Sequence, residues 1–137
     1  MDLDAARSAQ EREPVRVLVV DDDPAVAEVA SSYLERRLDR VDAVAETAPQ
    51  RAIERIETDA SIECVISDYE MPDIDGLELY DRVADRRPEL PFILFTAKQS
   101  PRLRREATEA GIAAFVTKDG SGETFDALTA SVRQEAT

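Results

Sequence analysis

Five side chains able to hold a cation or a phosphoryl group each stand where an apolar run stops. Asp21 and Asp22 follow VRVLVV, Asp68 follows CVIS, Thr96 follows FILF, and Lys118 follows AAFVT. If those runs are neighbouring parallel strands, their C-terminal ends share one edge, and carboxylates, hydroxyl and ammonium meet in one crevice. Two carboxylates about 4 Å apart repel by about 4 kcal/mol at an effective dielectric of 20, so three of them call for added positive charge. All-oxygen donors suit a hard cation. Mg2+ fits better than Ca2+, because it accepts a few carboxylates, keeps several waters and shares a phosphate oxygen. Taken alone, Asp21 to Asp23 would serve equally well as a helix cap.

The elements that must position these residues are written as a strand-helix rhythm. Residues 15–20 are a β-branched run suited to a strand buried on both faces. Asp23 and Pro24 then open a helix carrying Val26, Val29, Ala30, Tyr33, Leu34 and Leu38 at helical spacing. A short strand over Val41 to Ala45 leads through Thr47 and Pro49 into a helix with Ile53 and Ile56 on one face. Residues 62–67 form the third strand, and 77–86 the next helix, through Leu77, Leu79, Tyr80 and Val83. FILF is the fourth strand. Ser100 and Pro101 cap a helix with Leu103, Ala107 and Ala110 that Gly111 ends. AAFVT is the fifth strand, and Ser121 begins a last helix using Phe125, Leu128 and Val132. Five such units imply right-handed crossovers and a three-layer α/β fold of the flavodoxin-like (βα)5 type, with a parallel five-stranded sheet. The first strand is more apolar than the second, which suits a central place and the order 2-1-3-4-5.

Composition narrows the functional classes. The 137 residues have the length of one domain, read as a polar lead-in over 1–14, a domain over 15–134 and a tail over 135–137. No apolar run approaches a membrane span and the first residues lack a signal-peptide core, so the expected location is the cytoplasm, without membrane attachment. The formal net charge of −13 and pI near 4.4 argue against direct nucleic-acid contact, which calls for a basic footprint. Cations are almost all Arg, with Lys98 and Lys118 the sole lysines, a composition of the kind expected of acidic, halophile-like proteins. That scarcity gives Lys118 weight. The chain has no histidine, so imidazole chemistry has to come from a partner. The single cysteine, Cys64, inside an apolar run, reads as a small buried hydrophobe.

Four ordered blocks carry a resemblance to the receiver domain of two-component response regulators, of chemotaxis-regulator-like form, from about Val15 to Val132. They are VLVVDDDP, CVISDYEMPDIDGLEL, LPFILFTA and FVTK. The resemblance implies that Asp68 is the phosphoacceptor, taking a phosphoryl group from a phosphohistidine on a histidine kinase or histidine phosphotransfer protein. It implies that Asp22 and Asp68 ligate Mg2+ directly, that Asp21 acts largely through water and that Glu70 offers its backbone carbonyl. Thr96 and Lys118 would hold phosphoryl oxygens, and Thr96 with Phe115 would form the switch that alters the face of the last two helices and fifth strand. Such a domain catalyses only its own phosphotransfer and dephosphorylation. Glu70 and Lys98, two residues beyond the phosphoacceptor and the threonine, are expected to pair across the mouth of the site and slow dephosphorylation.

Two features depart from or vary within the family pattern. Lys118-Asp119-Gly120 replaces the usual Lys-Pro, so a different loop is expected into the last helix. Ile112-Ala113-Ala114 replaces the acidic pair that DNA-binding members carry before the fifth strand, which points to a monomer or weak dimer, either standing alone or part of a larger regulator or sensor kinase. Two competing readings are a haloacid-dehalogenase-type phosphatase using Asp21, disfavoured by block order, length and Ala25, and a pseudo-receiver that binds partners unphosphorylated.

Overall fold

The computed structural model describes residues 14–119 and 121–136, so the expected lead-in falls almost wholly outside the described residues. Strands β1 (Val15–Val20), β2 (Val41–Glu46), β3 (Ile62–Ser67), β4 (Phe92–Thr96) and β5 (Ala114–Thr117) alternate with helices α1 (Pro24–Arg37), α2 (Pro49–Thr58), α3 (Gly76–Arg86), α4 (Pro101–Ala110) and α5 (Gly122–Ala136). All strand pairings are parallel, and the order is β2-β1-β3-β4-β5, as the sequence predicts. α5 runs to Ala136, two residues past the expected domain end at 134.

The sheet separates two cores because side chains alternate along each strand. Leu18, Val20, Val65, Phe92 and Leu94 face α2, α3 and α4, whereas Val17, Val19, Ile66, Ile93 and Phe95 face α1 and α5. Burial of each large apolar side chain contributes about 1.5–3 kcal/mol, and this fixes the register that brings the strand ends level. Cys64 belongs to the second core, and burial pushes its thiol up to about 12, which leaves it unreactive.

Local signals are mostly obeyed. Asp23 caps α1 by accepting from the Ala25 amide, Asp75 caps α3 and Ser100 caps α4. Gly111 closes α4 at φ 106, and a Cβ there would lie 2.7 Å from the Tyr80 hydroxyl; only glycine meets both demands. Two residues placed on inner helix faces by spacing, Val29 and Ala110, are exposed instead. Val29 is 52% exposed, because α1 presents the small residues Ala27, Ala30 and Ser31 with Leu34 to the sheet. At the entry of α2 the N-cap Ala48 makes no side-chain cap bond; Glu46, 5% exposed, accepts from the amides of Thr47 and Ala48 and from Arg55 Nε.

Candidate functional site

Strand register builds the site. Val20 pairs with Ser67 and Thr96 with Thr117, so the residues that follow emerge side by side. Backbone bonds lock that alignment: Asp21 N donates to Glu46 O, Asp68 N to Val20 O at 3.0 Å, and Lys118 N to Thr96 O at 2.8 Å. The crevice at the C-terminal edge is therefore set by the sheet, and loop geometry adds only the turns.

Carboxylate oxygens of Asp21, Asp22 and Asp68 all lie within 4.8 Å of one another. Into this group reaches Lys118, whose Nζ is 2.6 Å from Asp21 Oδ2 and 3.3 Å from Asp68 Oδ2. The ammonium also sits 5.1 Å from the Phe95 ring centroid, which helps to aim it. One ammonium against three carboxylates leaves the crevice negative. A hard divalent cation suits the donor set: three clustered carboxylates with too little positive charge.

The three acids differ in what they have free. Asp21 is 3% exposed; its Oδ1 accepts from Asp23 N and its Oδ2 from Lys118. Burial pushes its carboxyl up, against the downward pull of Lys118 and the Asp23 amide. Asp68 is half-buried, with Oδ1 held by the Tyr69 amide at 2.7 Å. Asp22 is exposed at the rim. Asp21, nearly inaccessible and with both oxygens in close hydrogen bonds, is poorly placed to be the nucleophile that the phosphatase reading requires, whereas the Asp68 side chain is more exposed and its Oδ2 has only the longer 3.3 Å contact with Lys118.

Gly76 keeps Asp68 in place from behind. A Cβ on Gly76 would fall 2.5 Å from the Asp68 carbonyl oxygen and 2.8 Å from Leu94 Cδ1, and its amide donates to Tyr69 O. The turn between Asp68 and α3 also holds Asp73 at φ 75, a left-handed conformation that Asp tolerates better than most residues.

Thr96 is buried, and its Oγ1 accepts from Lys98 N at 3.2 Å. Phe115 is half-buried against the core between sheet and α4, capped by the Arg104 guanidinium 4.5 Å from its ring centroid. Glu70 stands exposed at the mouth. The expected Glu70–Lys98 pair is corrected: among the described residues no ion pair joins them, and Lys98 Nζ lies 5.2 Å from the Tyr69 ring centroid instead. Two long exposed side chains gain little from pairing in water, and an aromatic face next to Lys98 offers a competing contact.

After Lys118 the carboxylate of Asp119 gathers the hydrogen bonds that lead into α5. Asp119 Oδ1 accepts from Ser121 N at 2.8 Å, from Ser121 Oγ at 2.6 Å and from Thr124 Oγ1. These bonds, Ser121 first, hold the Asp119 carboxyl down at about 2. Asp119 thus organises the entry of α5, a role sequence reasoning assigned to Ser121. Its signal was an Asp two and five residues ahead of hydroxyl side chains. Gly120 lies outside the described residues.

Residues 17–130 match the family model described as response regulator receiver domain. The two-component response regulator ORR3 of Oryza sativa subsp. indica is 32% identical over 116 residues, which is 83% of this chain and 86% of that protein. The probable transcriptional regulatory protein TcrX of Mycobacterium tuberculosis is 32% identical over 111 residues, 81% of this chain, and the chain spans only 46% of its length. Among solved structures, the receiver domain of the Francisella response regulator 1452 superposes with a TM-score of 0.77 at 25% identity, covering 88% of this chain and 95% of that one. A CheY-like receiver domain protein from Methanospirillum hungatei JF-1 gives 0.79 at 22% identity, covering 90% and 94%.

Proposed function

The chain belongs to the response regulator receiver domain family of two-component signalling, and from that premise we propose that Asp68 is its phosphoacceptor. The observation that carries this is the bridging of Asp21 and Asp68 by Lys118, at 2.6 and 3.3 Å, beneath a crevice lined by three carboxylates. A carboxylate oxygen of Asp68 attacks phosphorus on the partner's phosphohistidine. The P–O bond forms as the P–N bond breaks, its electron pair stays on the imidazole nitrogen, and the product is an acyl phosphate. Such transfer depends on in-line positioning and charge neutralisation more than on covalent assistance. Lys118 supplies a mobile point charge for a phosphoryl oxygen, and Thr96 supplies a hydroxyl once it leaves Lys98 N.

Asp22, Asp68 and the Glu70 carbonyl are the groups we assign to Mg2+, with Asp21 acting through water because its oxygens are already taken. When bound, the ion neutralises the carboxylates and draws in a phosphoryl oxygen. The chain's own residues then do three things: Asp68 bonds the phosphoryl group, Lys118 and Thr96 orient it, and Phe115 repacks as Thr96 moves. Phosphorylation thereby stabilises a second arrangement of the α4-β5-α5 face. The domain promotes only its own phosphotransfer and dephosphorylation, in the cytoplasm, with Glu70 and Lys98 at the mouth setting water access.

Incubation with Mg2+ and acetyl phosphate, followed by intact-mass measurement, tests the assignment. Wild type should gain one phosphoryl group and Asp68→Asn none. Equal gain in both proteins would move the acceptor elsewhere, and no gain with several donors would favour a receiver that is not phosphorylated.

A further inference from the structure

Ser67 is wholly buried at the end of β3, on the face that Val65 gives to the core beneath α2, α3 and α4. Its strand partners, Val20 and Leu94, belong to that apolar core. A hydroxyl in such surroundings is unfavourable unless it is bonded, and packing alone gives no reason for one here. Among the described residues Ser67 Oγ makes a single hydrogen bond, donated to the carbonyl oxygen of Asp68 at 2.8 Å.

That carbonyl belongs to the peptide unit whose other end orients the Asp68 carboxylate. A peptide bond is planar and trans, so the Asp68 carbonyl and the Tyr69 amide point in opposite directions and turn together. The Tyr69 amide donates to Asp68 Oδ1 at 2.7 Å, which leaves Oδ2 toward Lys118, 3.3 Å away. Gripping the carbonyl therefore aims the amide, and the amide aims the carboxylate. The peptide units on either side are held by other bonds: Asp68 N donates to Val20 O, and Tyr69 O accepts from the Gly76 amide. Gly76 also clears the space, since a Cβ there would lie 2.5 Å from the Asp68 carbonyl oxygen. Ser67 supplies the bond that keeps the oxygen in it.

We propose that Ser67 is a positioning residue for phosphoryl uptake: its hydroxyl fixes the Asp68–Tyr69 peptide plane and, through the Tyr69 amide, the attacking carboxylate. Without the hydroxyl a buried carbonyl loses its partner, and the plane turns to find another donor. The Tyr69 amide then leaves Oδ1, and the carboxylate spends less time in line with phosphorus, a loss that transfer by positioning tolerates poorly. The effect on uptake rests on the reading of Asp68 as phosphoacceptor; the clamp on the peptide plane does not.

Three substitutions separate aim from stability. Ser67→Ala removes the donor, Ser67→Thr keeps it, and Ile66→Val loosens the opposite core from the neighbouring position of the same strand. In Ser67→Ala, uptake from acetyl phosphate with Mg2+, followed by intact mass, should slow about tenfold. The Tyr69 amide proton resonance should move upfield by NMR, as its bond to Asp68 Oδ1 weakens. Ser67→Thr should return both toward wild type, and Ser67→Cys, a weaker donor of similar shape, should fall between Ala and wild type. Ile66→Val should lower the urea midpoint and leave both readouts unchanged. Wild-type uptake in Ser67→Ala, or equal slowing in Ile66→Val, overturns the positioning role. An unmoved Tyr69 amide in Ser67→Ala overturns the clamp itself. If wild type gains no phosphoryl group, the phosphoacceptor reading fails, and the Tyr69 amide alone decides whether Ser67 holds the plane.

Discussion

At the N-terminal end of the sheet Arg16 stands between two carboxylates, Nε 2.8 Å from Asp42 and Nη1 2.7 Å from Asp59. At the C-terminal end Lys118 stands among three, with Asp21 and Asp68 in contact and Asp22 on the rim. The lower group spreads a rigid guanidinium fork over matched partners, in side chains that remain 28–38% exposed, where water screens what is left over. The upper one places a compact ammonium, 18% exposed, against an Asp21 side chain that is 4% exposed. The larger imbalance, one ammonium among three carboxylates against one guanidinium between two, lies at the end where the chemistry is assigned. The same sheet can therefore be braced at one end and charged for binding at the other.

The largest effect should come from removing the upper cation. Lys118→Met leaves clustered, partly buried carboxylates uncompensated, a loss of about 3 kcal/mol in chelator, read as a lower urea midpoint. Mg2+ should restore part of it, since ligand bound only to the folded state stabilises by mass action. Arg16→Met should lower the midpoint less and gain nothing extra from Mg2+. Equal losses at the two ends, or Mg2+ recovery at the lower one, would erase the contrast.

Next in size is the support behind Asp68. Gly76→Ala must push a methyl group into a backbone carbonyl 2.5 Å away and a side chain 2.8 Å away, costing about 2 kcal/mol. Because the obstructed atom belongs to Asp68 itself, phosphoryl uptake from acetyl phosphate should slow as well. Lost stability with an unchanged uptake rate would show that the site tolerates displacement of its own backbone.

The lower brace should yield less, and in a different pH range. The Ser61 hydroxyl, and after it Arg16, hold the Asp59 carboxyl down at about 2, below its ordinary 3.8. A depressed folded-state value stabilises above the unfolded one and loses that contribution as pH falls through the folded one. The gap in thermal midpoint between wild type and Asp59→Asn should thus be flat above about pH 5 and close between about pH 4 and 2, worth at most about 1 kcal/mol at neutral pH after solvent screening. A gap that persists at pH 2 would assign the effect to packing.

How legible these ends were depends on the distance over which each residue acts. Asp68, Thr96 and Lys118 could be found because the end of an apolar run marks the end of a strand, and parallel strands share an edge. The strand order followed from β1 being more apolar than β2. Arg16 with Asp42 and Asp59 could not be found, since it depends on strand register and on where α2 stops. Glu46 was missed for a similar reason: its partner Arg55 lies well along the helix that follows, and Thr47-Ala-Pro resembles an ordinary helix entry. Val29 misled because helical spacing defines a stripe without its phase, and α1 buries alanines where larger residues were expected. Lys98 was paired with Glu70 because each stands two residues beyond a site residue, whereas its ammonium lies near the Tyr69 ring.

The smallest predicted effect lies in the turn beside the upper site and separates charge from shape there. Asp73 adopts φ 75 and lines a groove with Asp22, so it adds both backbone strain and negative charge near the crevice. Glycine removes the left-handed penalty of about 1–2 kcal/mol but restores about 0.5–1 kcal/mol of unfolded-state freedom. Asp73→Gly should therefore stabilise by about 0.5 kcal/mol in chelator. Asn keeps a side chain that tolerates the same conformation and removes only the charge, so Asp73→Asn measures the electrostatic share alone. If that share is the whole of the gain, and Mg2+ abolishes it, the unbalanced charge at this end of the sheet extends beyond the three clustered aspartates. If Asn changes nothing and Gly still stabilises, the imbalance stops at Asp22 and the turn contributes shape only.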